Sequence, residues 1–526
     1  MDPAAPPRAS STRAISASAL VTLVASLALV ALLSARALGL ASPPPALDVA
    51  FALVLAWKLL RRTGLERPAT GIVVAAIALY SLYLGYTSAD DRNYDVHAHL
   101  MYVRYVAEHL ALPAKNACNI CHHPPAYYVL AAALYRVLVL VHASEPALGL
   151  QILALVLVSI FVACAALILQ RTLPTRTTRL AATALVAFWP YTVIDTGRVG
   201  NDALLYAVAG GVMLALVSWR RTGGDRPLWI AALLVVVGLF TKTNALVLAA
   251  LFCAACAEAI VRAPRRGARL RALLPPMALV VAGALVKLAV RHTERRPGLL
   301  YGLLGNAEDV GSWALTPRTA HTYLWFDPKE FLSTPYQQVT IYGSNSEPFW
   351  NQLLKSSLLG TRRSLFGIVG TTEPVHIARA LNVLLLVLAA FLIAGQLAAL
   401  RPWPRARTIA IATSATFIAA VVAFHWLVPF GYHADFRFIH PVLVPMAWLY
   451  VDGAMRLGRR ARALGAASLG VAAIFLATSV AYFLPATWQK PPVRRPTDIG
   501  DLTHIPPLAP VPSVAPSVAI PRFRLR

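Results

Sequence analysis

The sequence predicts an all-α, polytopic membrane protein. Of its 526 residues, 58% are hydrophobic and 13% are charged, and the mean hydropathy is +0.62. That composition excludes an ordinary soluble globular domain. Apolar runs of about 15 to 23 residues recur from Ala19 to Leu484, close to the roughly 20 residues that a helix needs to cross a bilayer.

The arginines lie mainly in short turns between the apolar runs. In a soluble protein the net charge of +25 would indicate nucleic-acid binding, but basic turns between apolar runs are the positive-inside pattern of membrane proteins. We therefore expect no nucleic-acid partner. The turns predicted to face the cytoplasm are Arg61–Arg62, Arg171–Arg179, Arg220–Arg226, Arg262–Arg271, Arg401–Arg407 and Arg456–Arg462.

The remaining connections are predicted to face outward: residues 88–125, 195–202, 241–243, 291–377 and 429–440, with the tail after Leu484. Two apolar runs lie between residues 125 and 171, where alternation requires an odd number. We expect the tyrosine-rich run Ala126–Val141, with its central Arg136, to lie along the interface. About 13 spans then remain, with the N-terminus in the cytoplasm and the C-terminus outside. The alternative, an outward-facing turn at Arg171–Arg179, stays open.

Three regions follow from this topology. Residues 1–68 form a cytoplasmic stub and a transmembrane hairpin, because the run Ala19–Leu40 is too long for a signal-peptide core. Residues 69–484 form the main transmembrane module, whose 291–377 loop is rich in Trp and Tyr and is expected to form a small lid of interfacial helices. Residues 485–526 form a proline-rich, extended outer tail.

The outer loop Asp90–Pro125 concentrates acidic, histidine and cysteine residues. Asp95 precedes a segment of helical period that runs to Leu112, and it is a plausible N-cap. His99 follows one turn later on the same face, so the carboxylate and the imidazole can meet. The number of acids and histidines in this loop exceeds what capping requires, which favours chemistry or docking.

Several motifs, in this order, resemble the GT-C membrane glycosyltransferases, nearest the branch of dolichyl-phosphate-mannose protein mannosyltransferases and aminoarabinose transferases. The first outer loop carries acids and then His123-Pro124-Pro125-Ala126-Tyr127-Tyr128, similar to a family element. Asn201-Asp202 resembles the acidic second outer loop. The segments Phe349–Gly360 and Arg437–Pro445 resemble later family segments. The resemblance implies a GT-C-like catalytic module over residues 69–484 with outer juxtamembrane helices.

The resemblance implies an inverting transfer of a sugar from a polyprenyl-phosphate donor to an unknown acceptor at the outer face. A carboxylate would act as the base and fixed cations would bind the leaving phosphate. The base is predicted to be Asp95, with Asp91 and Asp90 as alternatives. Asp202 is implied to orient the acceptor or a metal. The predicted substrate-binding residues are His99, His123, Tyr128, Asp202, Lys242 and Arg437.

The cysteines divide into two groups. Cys164, Cys253 and Cys256 lie within apolar runs and are predicted to be buried. Cys118 and Cys121 lie in an outer loop, where a local disulfide is the first interpretation. Haem attachment through Cys118-x-x-Cys121-His122, and a zinc site made of these residues with neighbouring histidines, remain open.

Two further function classes remain beside the transferase. One is a transporter or flippase of lipid-linked intermediates, and the other is a membrane protein that holds a metal or haem in the loop of Cys118 and Cys121. No cofactor is certain, although a divalent metal stays open. The predicted partners are the polyprenyl-phosphate sugar, membrane lipids and the acceptor, and the alanine- and arginine-rich composition favours a bacterial inner membrane.

Overall fold

The computed structural model describes residues 45–85, 95–114, 120–143, 146–292, 316–337, 347–360, 374–398 and 405–488. Throughout these ranges the regular structure is helical, without a strand. The all-α fold class is therefore confirmed. The predicted span Ala19–Leu40 and the predicted extended tail lie outside the described residues, apart from the few residues at the end of the last helix.

The α-helices are numbered in chain order. They are α1 Pro45–Arg62, α2 Arg67–Gly85, α3 Val96–His109, α4 Ala126–Leu140, α5 Pro146–Thr172, α6 Arg176–Ala187, α7 Pro190–Asp195, α8 Asn201–Thr222, α9 Arg226–Leu239, α10 Leu246–Arg262, α11 Arg266–His292, α12 Ala320–Leu324, α13 Pro328–Ser333, α14 Phe349–Leu358, α15 Val375–Leu397, α16 Arg405–Leu427, α17 Leu443–Arg460 and α18 Arg462–Trp488. One 3₁₀ turn, Thr243–Ala245, precedes α10, and three 3₁₀ turns, Gly431–His433, Phe436–Phe438 and His440–Val442, precede α17.

Eight described helices are long and apolar enough to cross a membrane: α2, α5, α8, α10 with its preceding turn, α11, α15, α16 and α18. The chain is thus a multi-pass membrane protein, but the predicted count of about 13 spans is not confirmed. The shortfall has a physical basis. The predicted span that contains α9 has a helix of only 14 residues, about 21 Å long, whereas the hydrocarbon core is roughly 30 Å thick.

The basic turns pack against one another at one end of the helices. Arg179 pairs with Glu66 at 2.6 Å, Arg171 donates to the Ser218 hydroxyl at 2.6 Å, and Arg220 pairs with Glu258. These contacts join the turns between α1 and α2, α5 and α6, α8 and α9, and α10 and α11. The assignment of this end to the cytoplasm stays a prediction from its charge.

The acidic connections meet at the opposite end. The Gln151 side chain of α5 donates to the Gly197 carbonyl at 2.9 Å, and the backbone amide of Ala126 donates to the Phe240 carbonyl at 2.8 Å. Helix α4 therefore begins at this end. Near its C-terminus Leu138 packs on Gly149, two residues before Gln151, so both ends of α4 lie at the same end of the bundle. This arrangement agrees with a helix that does not cross.

The described parts of the 291–377 loop form three short helices, α12 to α14, in keeping with a small helical lid. In α14, Lys355 is fully buried, where it pairs with Glu347 at 2.5 Å and donates to the Thr334 hydroxyl at 2.8 Å. The next residue, Ser356, accepts a hydrogen bond from the backbone amide of Phe436 at 2.9 Å. The lid is thereby fastened to the connection between α16 and α17.

Candidate functional site

Seven of the predicted site residues converge at the acidic end of the bundle. Asp95 and His99 lie at the start of α3, His123 and Tyr128 around the start of α4, Asp202 in the first turn of α8, Lys242 between α9 and α10, and Arg437 before α17. Asp95, Asp202, Lys242 and Arg437 all lie close enough to His99 for their charges to influence its pKa. The alternative bases, Asp90 and Asp91, lie outside the described residues.

Asp95 occupies the N-cap position of α3, and its carbonyl accepts from the amide of His99 at 3.0 Å. Its carboxylate makes no capping hydrogen bond and is partly exposed. The carboxylate is therefore not engaged in capping α3, and a partly exposed carboxylate can act as a proton acceptor.

His99 is 7% exposed. Burial lowers the pKa of its imidazole to about 4, although Asp95 and Asp202 act in the opposite direction. A buried imidazole resists the charged form because it is withdrawn from water. His99 is therefore neutral at physiological pH.

A chain of hydrogen-bonding groups links α3, α4 and α8. The hydroxyl of Tyr128 lies 2.9 Å from Nδ1 of His99 and 3.1 Å from Nδ1 of His123. Asn201 continues the chain, because its Nδ2 lies 3.3 Å from the same atom of His123. The ring of Tyr102 stacks on Tyr128 with centroids 3.7 Å apart, which fixes the plane of the central hydroxyl.

Two cations lie around one aromatic ring. Lys242 forms an ion pair with Asp202 and lies 4.9 Å from the centroid of Phe438, and the guanidinium of Arg437 lies 5.0 Å from the same centroid. Burial lowers the pKa of Arg437, but the carboxylates of Asp435, Asp202 and Asp95 outweigh it and raise that pKa above its usual value. Arg437 is a permanent cation here.

Asp435 was not among the predicted site residues. In the structure Asp435 is buried, its Oδ1 accepts from the Arg437 amide at 2.9 Å and from the Tyr191 hydroxyl at 3.1 Å, and its Oδ2 lies 3.8 Å from Arg437 Nε. Asp435 thus holds the backbone and the side chain of the arginine. The signal for this role was its position two residues before Arg437, as in an Asx turn.

Asp195 and His440 were missed as site residues, although both had been placed at loop edges. They are buried, with Asp195 Oδ2 3.9 Å from His440 Nδ1, and Arg198 pairs with the other carboxylate oxygen at 3.2 Å. Burial raises the pKa of Asp195 to about 7 and lowers that of His440 to about 3. No sequence signal joins two residues so far apart in the chain.

The structure describes four of the five cysteines for which predictions were made. Cys121 is disulfide-bonded, and Cys118 lies outside the described residues. A disulfide sulfur offers no thiolate to a metal, and among the described residues no cluster of three or more His, Cys, Asp or Glu side chains could hold a metal ion. Cys256 is buried as predicted, whereas Cys164 is half-buried and Cys253 exposed on the helix surface, where lipid can cover it.

The arrangement combines three chemical elements at one end of a membrane bundle. It has a carboxylate at Asp95 that makes no capping hydrogen bond, two cations at Lys242 and Arg437, and a neutral hydrogen-bonding chain that begins at His99. A carboxylate can accept a proton from a hydroxyl, and fixed cations can stabilise a phosphate. The sequence matches no family model and no curated protein.

Proposed function

We propose that the chain is an inverting glycosyltransferase that moves a sugar from a polyprenyl-phosphate carrier to an acceptor hydroxyl at the outer membrane face. The observation that carries the proposal is the convergence of Asp95 with Lys242 and Arg437 at one end of the helices. A lipid-linked donor presents its phosphate at the membrane surface, so a site for it needs cations at a helix-bundle end rather than a nucleotide pocket.

In the proposed reaction, the carboxylate of Asp95 takes the proton of the acceptor hydroxyl as the oxygen attacks the anomeric carbon. The bond from that carbon to the phosphate oxygen breaks at the same time, so the configuration inverts. Lys242 and Arg437 receive the negative charge that develops on the leaving polyprenyl phosphate. Because their positions are fixed before the reaction, little reorganisation is needed when the charge appears.

The location of the charges favours a transferase over a transporter of lipid-linked intermediates. Transporters commonly carry ionisable residues near the middle of the membrane, at the interface of paired repeats. Here Asp95, Lys242 and Arg437 belong to connections and helix starts at one end of the bundle, and the sequence shows no paired halves.

The test uses the full-length protein in lipid nanodiscs with a panel of polyprenyl-phosphate sugars, and it follows release of polyprenyl phosphate and the anomeric configuration of the product. Asp95→Asn is expected to lower kcat by roughly 10²- to 10⁴-fold, the range for a general base, while donor binding is retained. The matched control is Glu108→Gln on the same helix, a part-exposed carboxylate paired with Arg104 at 2.5 Å. Full activity in the double variant Asp95→Asn, Asp91→Asn contradicts the proposal.

A further inference from the structure

Three arginines surround a single carboxylate at the basic end of the bundle. The carboxylate belongs to Glu258 near the end of α10, and its side chain is 18% exposed. It forms ion pairs with Arg220 near the end of α8, with Arg262 one turn later in α10 at 2.9 Å and with Arg405 at the start of α16. Arg220, Arg262 and Arg405 are called the arginine cluster below. Three positive charges and one negative charge leave a local excess of two positive charges.

The arginine cluster differs from the other ion pairs at the same end. Among the described residues, each of the other acids there has a single arginine partner: Glu66 with Arg179, Asp225 with Arg269 and Asp452 with Arg456. The positive-inside rule accounts for basic residues at this end. It does not require three of them to converge on one acid from three different helices.

The arginine cluster also keeps unused hydrogen-bond donors. Arg220 and Arg405 each bond Glu258 through Nη2 alone, and no other hydrogen bond of the three guanidiniums is found in the part of the chain that the structure describes. A guanidinium carries five N–H groups in a planar fork that matches the oxygens of a phosphate. Arg405 lies close enough to Arg220 for its charge to act on it, and like charges repel. A bound anion would offset this repulsion and accept hydrogen bonds from the unused donors.

An exposed apolar face of α10 leads to the arginine cluster. Helix α10 with its preceding turn is long and apolar enough to cross a membrane. Cys253, Ala257 and Val261 are exposed and lie four residues apart, so they share one face of the helix. Val261, which is 63% exposed, directly precedes Arg262. In a membrane this face contacts acyl chains, and a lipid that lies along it has its headgroup at the level of the arginine cluster.

We propose that the arginine cluster binds the phosphate of an anionic membrane lipid in the leaflet at the basic end, with the lipid's acyl chains along the exposed face of α10. The excess positive charge and the unused guanidinium donors select a phosphate over a zwitterionic headgroup. The apolar face and the position at the end of a membrane-spanning helix select a lipid over a soluble anion. The bound lipid connects α8, α10 and α16 at the end of the bundle opposite to the candidate site, and this role does not depend on the proposed transfer reaction.

The test is a titration of the full-length protein in detergent with phosphatidylglycerol or phosphatidylcholine, followed by native mass spectrometry. The wild type is expected to bind phosphatidylglycerol more tightly. Arg405→Gln is expected to weaken this binding by roughly 5-fold, the size of one basic residue at a membrane surface. The double variant Arg220→Gln, Arg405→Gln is expected to lose the preference, because the remaining pair of Arg262 and Glu258 has no net charge. Equal affinities of the wild type for the two lipids overturn the proposal.

The matched control removes the same amount of charge from the same end. The double variant Arg179→Gln, Arg456→Gln takes one arginine from each of two one-to-one ion pairs and is expected to keep the preference for phosphatidylglycerol. An equal loss in the two double variants overturns the proposal, because the preference then follows the total charge of this end. Glu258→Gln is a variant of opposite sign. It keeps the arginine cluster and raises the excess charge from two to three, so tighter binding of phosphatidylglycerol is expected and weaker binding counts against the site.

A competition experiment distinguishes a lipid from a soluble phosphate. Glycerol phosphate carries a phosphate without acyl chains, and at millimolar concentration it is expected to leave phosphatidylglycerol bound to the wild type. Displacement of the lipid by glycerol phosphate would assign the arginine cluster to a soluble anion and would overturn the lipid as its occupant. Thermal unfolding of each variant in phosphatidylcholine nanodiscs verifies that the variants compared are folded.

Discussion

Substitutions in the ion pair of Lys242 with Asp202 measure the contribution of the lysine to stability separately from its proposed contribution to phosphate binding. Their side chains are 11% and 21% exposed, so each charge depends on the other. Removal of one partner from a buried pair costs about 3 to 5 kcal/mol. We expect Lys242→Met to lower the free energy of unfolding by about 3 kcal/mol, the lower end of this range, because Arg437 still compensates Asp202 in part.

The double variant Lys242→Met, Asp202→Asn removes both charges and is expected to regain most of that stability. It should remain inactive, because the cation proposed to receive the phosphate is gone. Unfolding in detergent and release of polyprenyl phosphate are measured on the same preparations. As a control, Arg179→Met breaks the more exposed pair with Glu66 at the other end of the bundle, where about 1 kcal/mol or less is expected with activity kept. A fully active double variant would refute a role for Lys242 in phosphate binding.

Two further predictions concern packing and pH. Gly395→Ala is expected to destabilise the bundle, because its Cβ would lie 2.6 Å from the Cα of Gly453 in α17 and the two backbones would have to separate. Gly470→Ala is the neutral control, because no atom lies within 4 Å of its Cβ. Equal thermal midpoints of unfolding for the two variants would contradict the predicted destabilisation. Asp195 has its pKa raised to about 7 by burial, so the folded state favours the protonated form. The stabilisation is complete below the ordinary pKa of 3.8 and is lost as pH rises toward 7, by at most roughly 4 kcal/mol. Asp195→Asn should flatten the pH profile of unfolding, and parallel profiles for wild type and variant would count against it.

Local features of the sequence predicted the helices and which of the charged connections share one end of the bundle. Asp95 was predicted to open a helix extending to Leu112, and α3 does begin directly after it but ends at His109. Leu110 turns into the left-handed region with φ of 52°, shortly before Pro113, which cannot continue a helix. The number of spans could not be predicted, because helices as short as α6 and α9 owe their place to packing in the bundle rather than to their own length.

The pairings within the site lie beyond the reach of local patterns. Charge rules placed Asp202, Lys242 and Arg437 at one end, but not the ion pair of Asp202 with Lys242 across the α8–α9 hairpin. The contact of Asp195 with His440 joins residues 245 positions apart in the sequence. Such contacts depend on how α5, α8 and α17 pack, and burial then sets the charge states that composition alone cannot indicate.

The connection that carries Arg437 shows why the site needs more than its charged residues. Its backbone is held from distant elements. The Tyr206 hydroxyl of α8 donates to the Arg437 carbonyl at 3.1 Å, the Asn244 side chain donates to the Phe438 carbonyl at 3.0 Å, and Ser356 of the lid accepts from the Phe436 amide. A guanidinium on a backbone fixed in this way does not have to be ordered when a phosphate arrives, which is the condition for electrostatic stabilisation of a leaving group. The lid therefore contributes to the site through the backbone that it holds, even though none of its side chains was among the predicted site residues.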